Sequence, residues 1–201
     1  MTVTFLGTGT SQGIPIIGST HPVCLSSDFK DKRLRVSVLI EWDNYSYVID
    51  CGPDFRQQML RAGSDRIDGI VFTHEHSDHV LGFDDIRPFY FRQGDIPIYA
   101  HKRVLKALKK RFDYVFKTKN KYPGAPTVIQ NRIKNEPFLL KNLEVIPVNG
   151  KHDKLQVFGF KFGDFAYLTD MKTVKAEEVE KIKNVKVLVV NALRIEPHLS
   201  H

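Results

Sequence analysis

The sequence predicts a layered α/β or α+β domain in which strands outnumber helices. Three observations predict it. Short runs rich in β-branched and aromatic residues recur along the chain, stretches with helical spacing fall between them, and neither kind is confined to one end. At 201 residues, 42% of them hydrophobic and 26% charged, the chain is long enough and apolar enough to bury one core, and a single domain over 1–201 is expected.

Val3–Leu6 is the first predicted strand and runs into a loop, Gly7–Gly13. Residues 35–41 and 45–50 form a hairpin pattern around Trp42-Asp43-Asn44. Phe55–Ala62 has helical spacing and stops at Gly63. Residues 67–73 make a buried strand that ends at His74, and 96–100 make another. Val104, Leu105, Leu108 and Phe112 recur at helical spacing. Residues 117–135 contain Pro123-Gly124-Ala125-Pro126 and many charges, and read as loop. Residues 143–148, 156–162 and 165–168 read as strands, 174–182 as a short helix, 186–190 as a buried strand and 191–201 as irregular. No internal repeat is present.

The formal net charge of +7 favours anionic partners such as phosphate esters or nucleic acid without choosing between them. No apolar run approaches the ~20 residues of a membrane span, and the opening lacks the pattern of a signal peptide. Two cysteines, Cys24 and Cys51, cannot build a disulfide framework, so a reducing, cytoplasmic setting is expected. Cys51 reads as a small packing residue. Between His101 and Tyr122, nine Lys and Arg residues interleave with Phe112, Tyr114 and Phe116; this reads as a solvated helix face, with an RNA-contacting arm as the alternative. Arg87, close to Asp84 and Asp85, is expected to pair with a carboxylate, and His101 to be structural or on the surface.

The chemistry concentrates in Thr73-His74-Glu75-His76-Ser77-Asp78-His79, which offers four metal ligands in six residues. Imidazole and carboxylate without thiolate suit Zn²⁺, Mn²⁺ or Fe. A zincin would need a histidine where Asp78 stands. His152 and Asp170, each at a predicted strand end, are the distant candidates to complete a two-ion site. The Gly7-x-Gly9 pair is not a dinucleotide fingerprint, because Gln12 stands where the third glycine belongs and Ile14-Pro15 opposes a helix.

Phe5–Pro15, Ile49–Arg56, the His-x-His-x-Asp-His cluster and Gly82–Phe89 resemble the metallo-β-lactamase superfamily. Within it they are similar to the branch containing phosphoribosyl 1,2-cyclic phosphate phosphodiesterase, near tRNase Z. The resemblance implies a four-layer αββα sandwich and two divalent ions, zinc or manganese. It implies that His74, His76 and His152 hold one ion, Asp78 and His79 the other, and that Asp170 bridges them. Asp50 would accept a hydrogen bond from a ligand imidazole, with a strand-end cap as its alternative. A hydroxide between the ions would attack phosphorus, with Asp78 and His201 as the catalytic residues. His201 would stand near the substrate phosphate as proton donor or fixed positive partner, with His198 in reserve.

Two departures from the branch matter. It normally continues beyond the position of His201 into a Thr-His-x-Ser-His segment, so the chain reads as C-terminally truncated and its second metal site as weak. Where the branch often carries a structural zinc, this chain has Ser19, His21 and Cys24, so that zinc is not expected. The leading expectation is a phosphodiesterase for a small cyclic phosphate ester. An RNA-processing endonuclease is the second reading and a metal-binding protein without catalysis the third. No membrane partner is expected, and homo-oligomerisation is left open.

Overall fold

In a computed structural model the described residues are 1–193, so His198 and His201 lie outside them. The chain divides into two compact units, Met1–Arg132 and Ile133–His201.

The first unit opens with β1 (Thr2–Gly7), a short α1 (Pro22–Leu25), β2 (Ser37–Trp42) and β3 (Tyr45–Ile49). The β2–β3 turn holds Asp43 and Asn44 at φ of 45° and 65°, the left-handed pair that lets a two-residue turn follow the twist of a hairpin. Next come α2 (Phe55–Ala62), β4 (Gly69–Val71), α3 (Ser77–Val80), α4 (Arg87–Gln93), β5 (Ile96–His101), α5 (Lys102–Arg111), α6 (Asp113–Phe116) and β6 (Val128–Ile133). The helix α2 ends as predicted: Gly63 takes the left-handed conformation, and its N–H closes the last turn. The six strands lie in the order β1-β2-β3-β4-β5-β6, with β1, β2 and β3 antiparallel and β3, β4 and β5 parallel. Phe55 and Met59 of α2, Val80, Phe83, Phe89, and Val104, Leu105 and Leu108 of α5 share one buried cluster with Val48, Ile70 and Ile98 of the strands. Fully burying such a side chain is worth about 1.5–3 kcal/mol, so this cluster anchors every helix that carries a candidate residue.

The second unit contains β7 (Phe138–Leu140), β8 (Leu143–His152), β9 (Leu155–Phe162), β10 (Phe165–Tyr167), β11 (Thr173–Val174), α7 (Ala176–Glu180) and β12 (Val187–Val189). Its sheet runs β11-β8-β9-β10-β12, with β7 also on β8. The β8–β9 hairpin is in register from Val145↔Phe162 to His152↔Leu155.

Two sheets with interspersed helices meet the predicted class, while several elements differ from the reading. Residues 117–135 are not all loop, because Val128–Ile133 joins the edge of the first sheet; only Val128 and Ile133 of that strand are buried, so its polar middle hid it. The strand expected over 143–148 continues to His152. The expected buried strand at 186–190 is instead exposed: it sits at a sheet edge, and Val187 and Leu188 are about half accessible, at 52% and 49%. Apolarity alone could not tell a buried central strand from an apolar edge. No helix among the described residues is long and apolar enough to cross a membrane.

Candidate metal centre

The site in the first unit follows from the parallel pairing of β3 and β4. Parallel neighbours end on the same side of a sheet, and the register Ile49↔Val71 places the residues just beyond both strands side by side. Asp50 thereby meets Thr73. The Asp50 N–H donates to the Val71 carbonyl at 3.0 Å, while Asp50 Oδ1 accepts from the Thr73 N–H at 2.8 Å. Asp50 sits at φ 61°, a left-handed conformation that an aspartate tolerates better than most residues and that aims its carboxylate back across the strand ends. Asp50 is 1% exposed, so its hydrogen bonds are made out of water.

Asp50 Oδ2 organises two histidines. It accepts from Thr73 Oγ1 at 2.7 Å and from His79 Nδ1 at 2.7 Å. A hydroxyl has one proton, and Thr73 spends it on Asp50. Its oxygen can then only accept from His74 Nδ1, 3.0 Å away. Both imidazoles are assigned the Nδ1–H tautomer by this network, and in each ring Nε2 is left with a lone pair available to a cation. The rings lie close together: the His74 and His79 centroids are 4.1 Å apart, and those of His74 and His76 are 4.7 Å apart. Asp78 Oδ2 stands 3.4 Å from His79 Nε2. His74 and His79 are buried and His76 is exposed. Nitrogen and oxygen donors converging without thiolate fit a divalent zinc or manganese ion.

Close backbone contacts hold the loop that carries these side chains. The Cys51 N–H donates to the His79 carbonyl and the Gly82 N–H to the Cys51 carbonyl, each at 2.9 Å. A Cβ on Gly52 would stand 1.9 Å from the Asp78 carbonyl oxygen, so only glycine allows the 51–52 segment to lie against α3. Cys51 is fully buried, and burial pushes its thiol well up, in keeping with a packing role. Gly7 is likewise required by the approach of Arg35, whose carbonyl would meet a Cβ at 1.9 Å.

In the second unit β8 and β10 run in the same direction, each antiparallel to β9, and Tyr167 at the end of β10 and Pro147 of β8 both pair with Phe160. His152 is the last residue of β8; Asp170 follows β10 and the buried Thr169, with φ at 54°. The chain then turns back: the Lys172 N–H donates to the Lys151 carbonyl at 2.8 Å and Thr173 pairs with Lys151. This unit thus carries His152 and Asp170 in neighbouring segments.

The remaining expectations also find their places. Arg87 pairs with Asp84 at 2.8 Å, and Asp84 also accepts from the Tyr114 hydroxyl. Burial and Asp84 push that hydroxyl up to about 12. His101 caps α5, its Nδ1 accepting from the Arg103 N–H, and His21 caps α1 in the same way. Thr73 is the functional residue to which sequence reasoning gave no role, although a hydroxyl directly before the first histidine was the available signal.

The profile of a family described as the beta-lactamase superfamily domain matches residues 45–201, which take in residues 74–79 as well as His152 and Asp170. A crystal structure of a diphosphatase from the PhnP family is 39% identical, with a TM-score of 0.92, over 99% of this chain and 76% of that one. The chain belongs to the PhnP family of the beta-lactamase superfamily. This PhnP-family chain is also 44% identical over 199 residues to a Porphyromonas gingivalis protein named octanoyltransferase, a match covering 98% of this chain. The chain spans only 40% of the length of that curated relative, whose name describes a much longer protein. Ribonuclease Z of Bradyrhizobium diazoefficiens is 37% identical over 82 residues, 40% of this chain and 22% of that one. The metallo-β-lactamase fold and the relation to tRNase Z expected from the motifs are therefore present.

Proposed function

We propose that this PhnP-family chain is a metal-dependent phosphodiesterase for a small cyclic phosphate ester, working in the cytoplasm with two zinc or manganese ions. The observation that carries the reading is the buried Asp50 carboxylate, which at 2.7 Å from both His79 Nδ1 and Thr73 Oγ1 orients two imidazoles as metal ligands. His74, His76, Asp78 and His79 supply the ligands of the first unit. His152 and Asp170 complete the set, a reading supported by the unbroken family match over residues 45–201. Bound divalent ions would lower the pKa of water to about 7 and hold phosphoryl oxygens. The chain's own part is to fix imidazole tautomers and to supply a proton to the departing alkoxide. We assign that last role to His201. The net charge of +7 suits an anionic substrate, the one partner this reading requires.

The ribonuclease Z match and the exposed lysines of α5 favour RNA processing as the second reading. The test is to assay the zinc- and manganese-loaded chain, beside His74→Ala, against a ribose cyclic phosphate, cyclic nucleotides and precursor tRNA. Turnover of a small cyclic ester that His74→Ala abolishes is the expected result. Cleavage of precursor tRNA alone would transfer the site to the second reading. Bound metal without hydrolysis of any ester would leave a metal-binding protein.

A further inference from the structure

Glu75 stands between His74 and His76 and is contacted by two arginines of α5. Arg103 Nε lies 2.7 Å from Glu75 Oε1, with the two side chains only 33% and 16% exposed. Arg111, two turns further along the same helix, donates to the Glu75 backbone carbonyl. One arginine therefore grips the side chain and another the main chain of the residue that separates the two histidines. Both come from α5, a ten-residue helix anchored in the core by Val104, Leu105 and Leu108 and capped by His101 at the turn that holds Arg103. Lys102, Lys106, Lys109 and Lys110 of the same helix are exposed, and no ion pair with them is seen among the described residues.

We propose that Arg103 is a positioning residue for metal capture: through Glu75 it holds the backbone between His74 and His76 so that both imidazoles face one ion. The inference rests on the metal reading given above. Its sign separates it from simple electrostatics. A cation near a metal site repels the metal, so loss of Arg103 by charge alone would tighten binding. Loss of a clamp weakens it, by about 10–100-fold where an outer partner orients a ligand.

The test measures zinc affinity by competition with a chromophoric chelator, together with metal-free thermal unfolding, for the unaltered chain, Arg103→Ala, Arg103→Lys, Glu75→Ala, the Glu75→Ala/Arg103→Ala double variant and Lys102→Ala. Arg103→Ala should bind zinc about tenfold or more weakly, and Arg103→Lys, which keeps one point of attachment, should fall between it and the unaltered chain. Lys102→Ala should bind as the unaltered chain does. The double variant should be no weaker than the weaker single variant, since Arg103 acts through Glu75. Should Arg103→Ala fail to fold without metal, Arg103→Lys carries the comparison. Unchanged or tighter binding by the folded Arg103 variants would overturn the proposal while leaving the metal reading intact. So would an Arg103 effect that persists in the absence of Glu75. Failure of the unaltered chain to bind zinc would overturn both.

Discussion

At the scale of single residues, the centre depends on which atom of each imidazole carries a proton. Asp50 Oδ2 can only accept, so it imposes Nδ1–H on His79 directly and on His74 through Thr73. An asparagine at this position keeps the shape but replaces one oxygen with a donor. With Oδ1 still accepting from the Thr73 N–H, the amide would face His79 Nδ1 and favour the opposite tautomer, with its proton on the atom that should bind metal. Asp50→Asn should therefore weaken zinc binding about 10–100-fold, measured by chelator competition. Thr73→Ser should bind nearly normally and Thr73→Val should not. Equal binding by Thr73→Val would show that the hydroxyl relay is unnecessary. The cluster itself stood out in the sequence because histidine and aspartate at that spacing have few other uses. The relay was not, because it arises from a strand register that brings Asp50 beside Thr73 across 23 positions of chain.

At the scale of elements, two packing contacts set how the candidate loops are held. The first is the approach of the 51–52 segment to α3. A methyl group at Gly52 would collide with main chain, which cannot rotate away as a side chain can. Gly52→Ala should destabilise the protein by about 3 kcal/mol, the upper end of overpacking costs, and should lower zinc affinity by displacing Asp78 and His79; urea unfolding and chelator competition would measure the two effects. The second is Glu178 of α7. Its carboxylate accepts from the Asn149 N–H at 2.7 Å, from Asn135 Nδ2 at 2.6 Å and from Lys181 Nζ at 2.8 Å. Burial opposes the charge, but these donors prevail and hold the pKa below the usual glutamate range. A carboxyl whose folded pKa is depressed stabilises above its unfolded value, near 4.3, and loses that contribution as pH falls through the folded one. Glu178→Gln should thus cost about 1.5–3 kcal/mol at pH 7, and the gap between variant and parent should narrow only below about pH 4. A gap that is the same at pH 3 and pH 7 would refute a charge-dependent role. Elements with strong periodicity or strong punctuation, such as the helix closed by Gly63 and the hairpin turned by Asp43-Asn44, were legible in the sequence. The strand at Val128–Ile133 and the exposure of β12 were not, because both depend on a place at a sheet edge that only the assembled sheet defines.

At the scale of the whole molecule, the proposed ligand set takes His74, His76, Asp78 and His79 from one compact unit and His152 and Asp170 from the other. Under that proposal an ion held by both sets would stabilise only the state in which both are folded, and would link their unfolding. At a free zinc concentration one hundred times the dissociation constant, this linkage is worth about 2.7 kcal/mol. For a chain of this length each kcal/mol moves the melting temperature by about 2–4 °C, so zinc should raise it by roughly 5–10 °C and a chelator should reverse the rise. Asp170→Asn tests the contribution of the second unit. If its loss weakens binding about a hundredfold, the same zinc concentration then only matches the dissociation constant, and the stabilisation falls to about 0.4 kcal/mol, a shift of one or two degrees. His74→Ala should do the same from the other unit, while Lys102→Ala should retain the full shift. An undiminished zinc response in Asp170→Asn would confine metal binding to the first unit, and one ion held by residues 74–79 would replace the two-ion site.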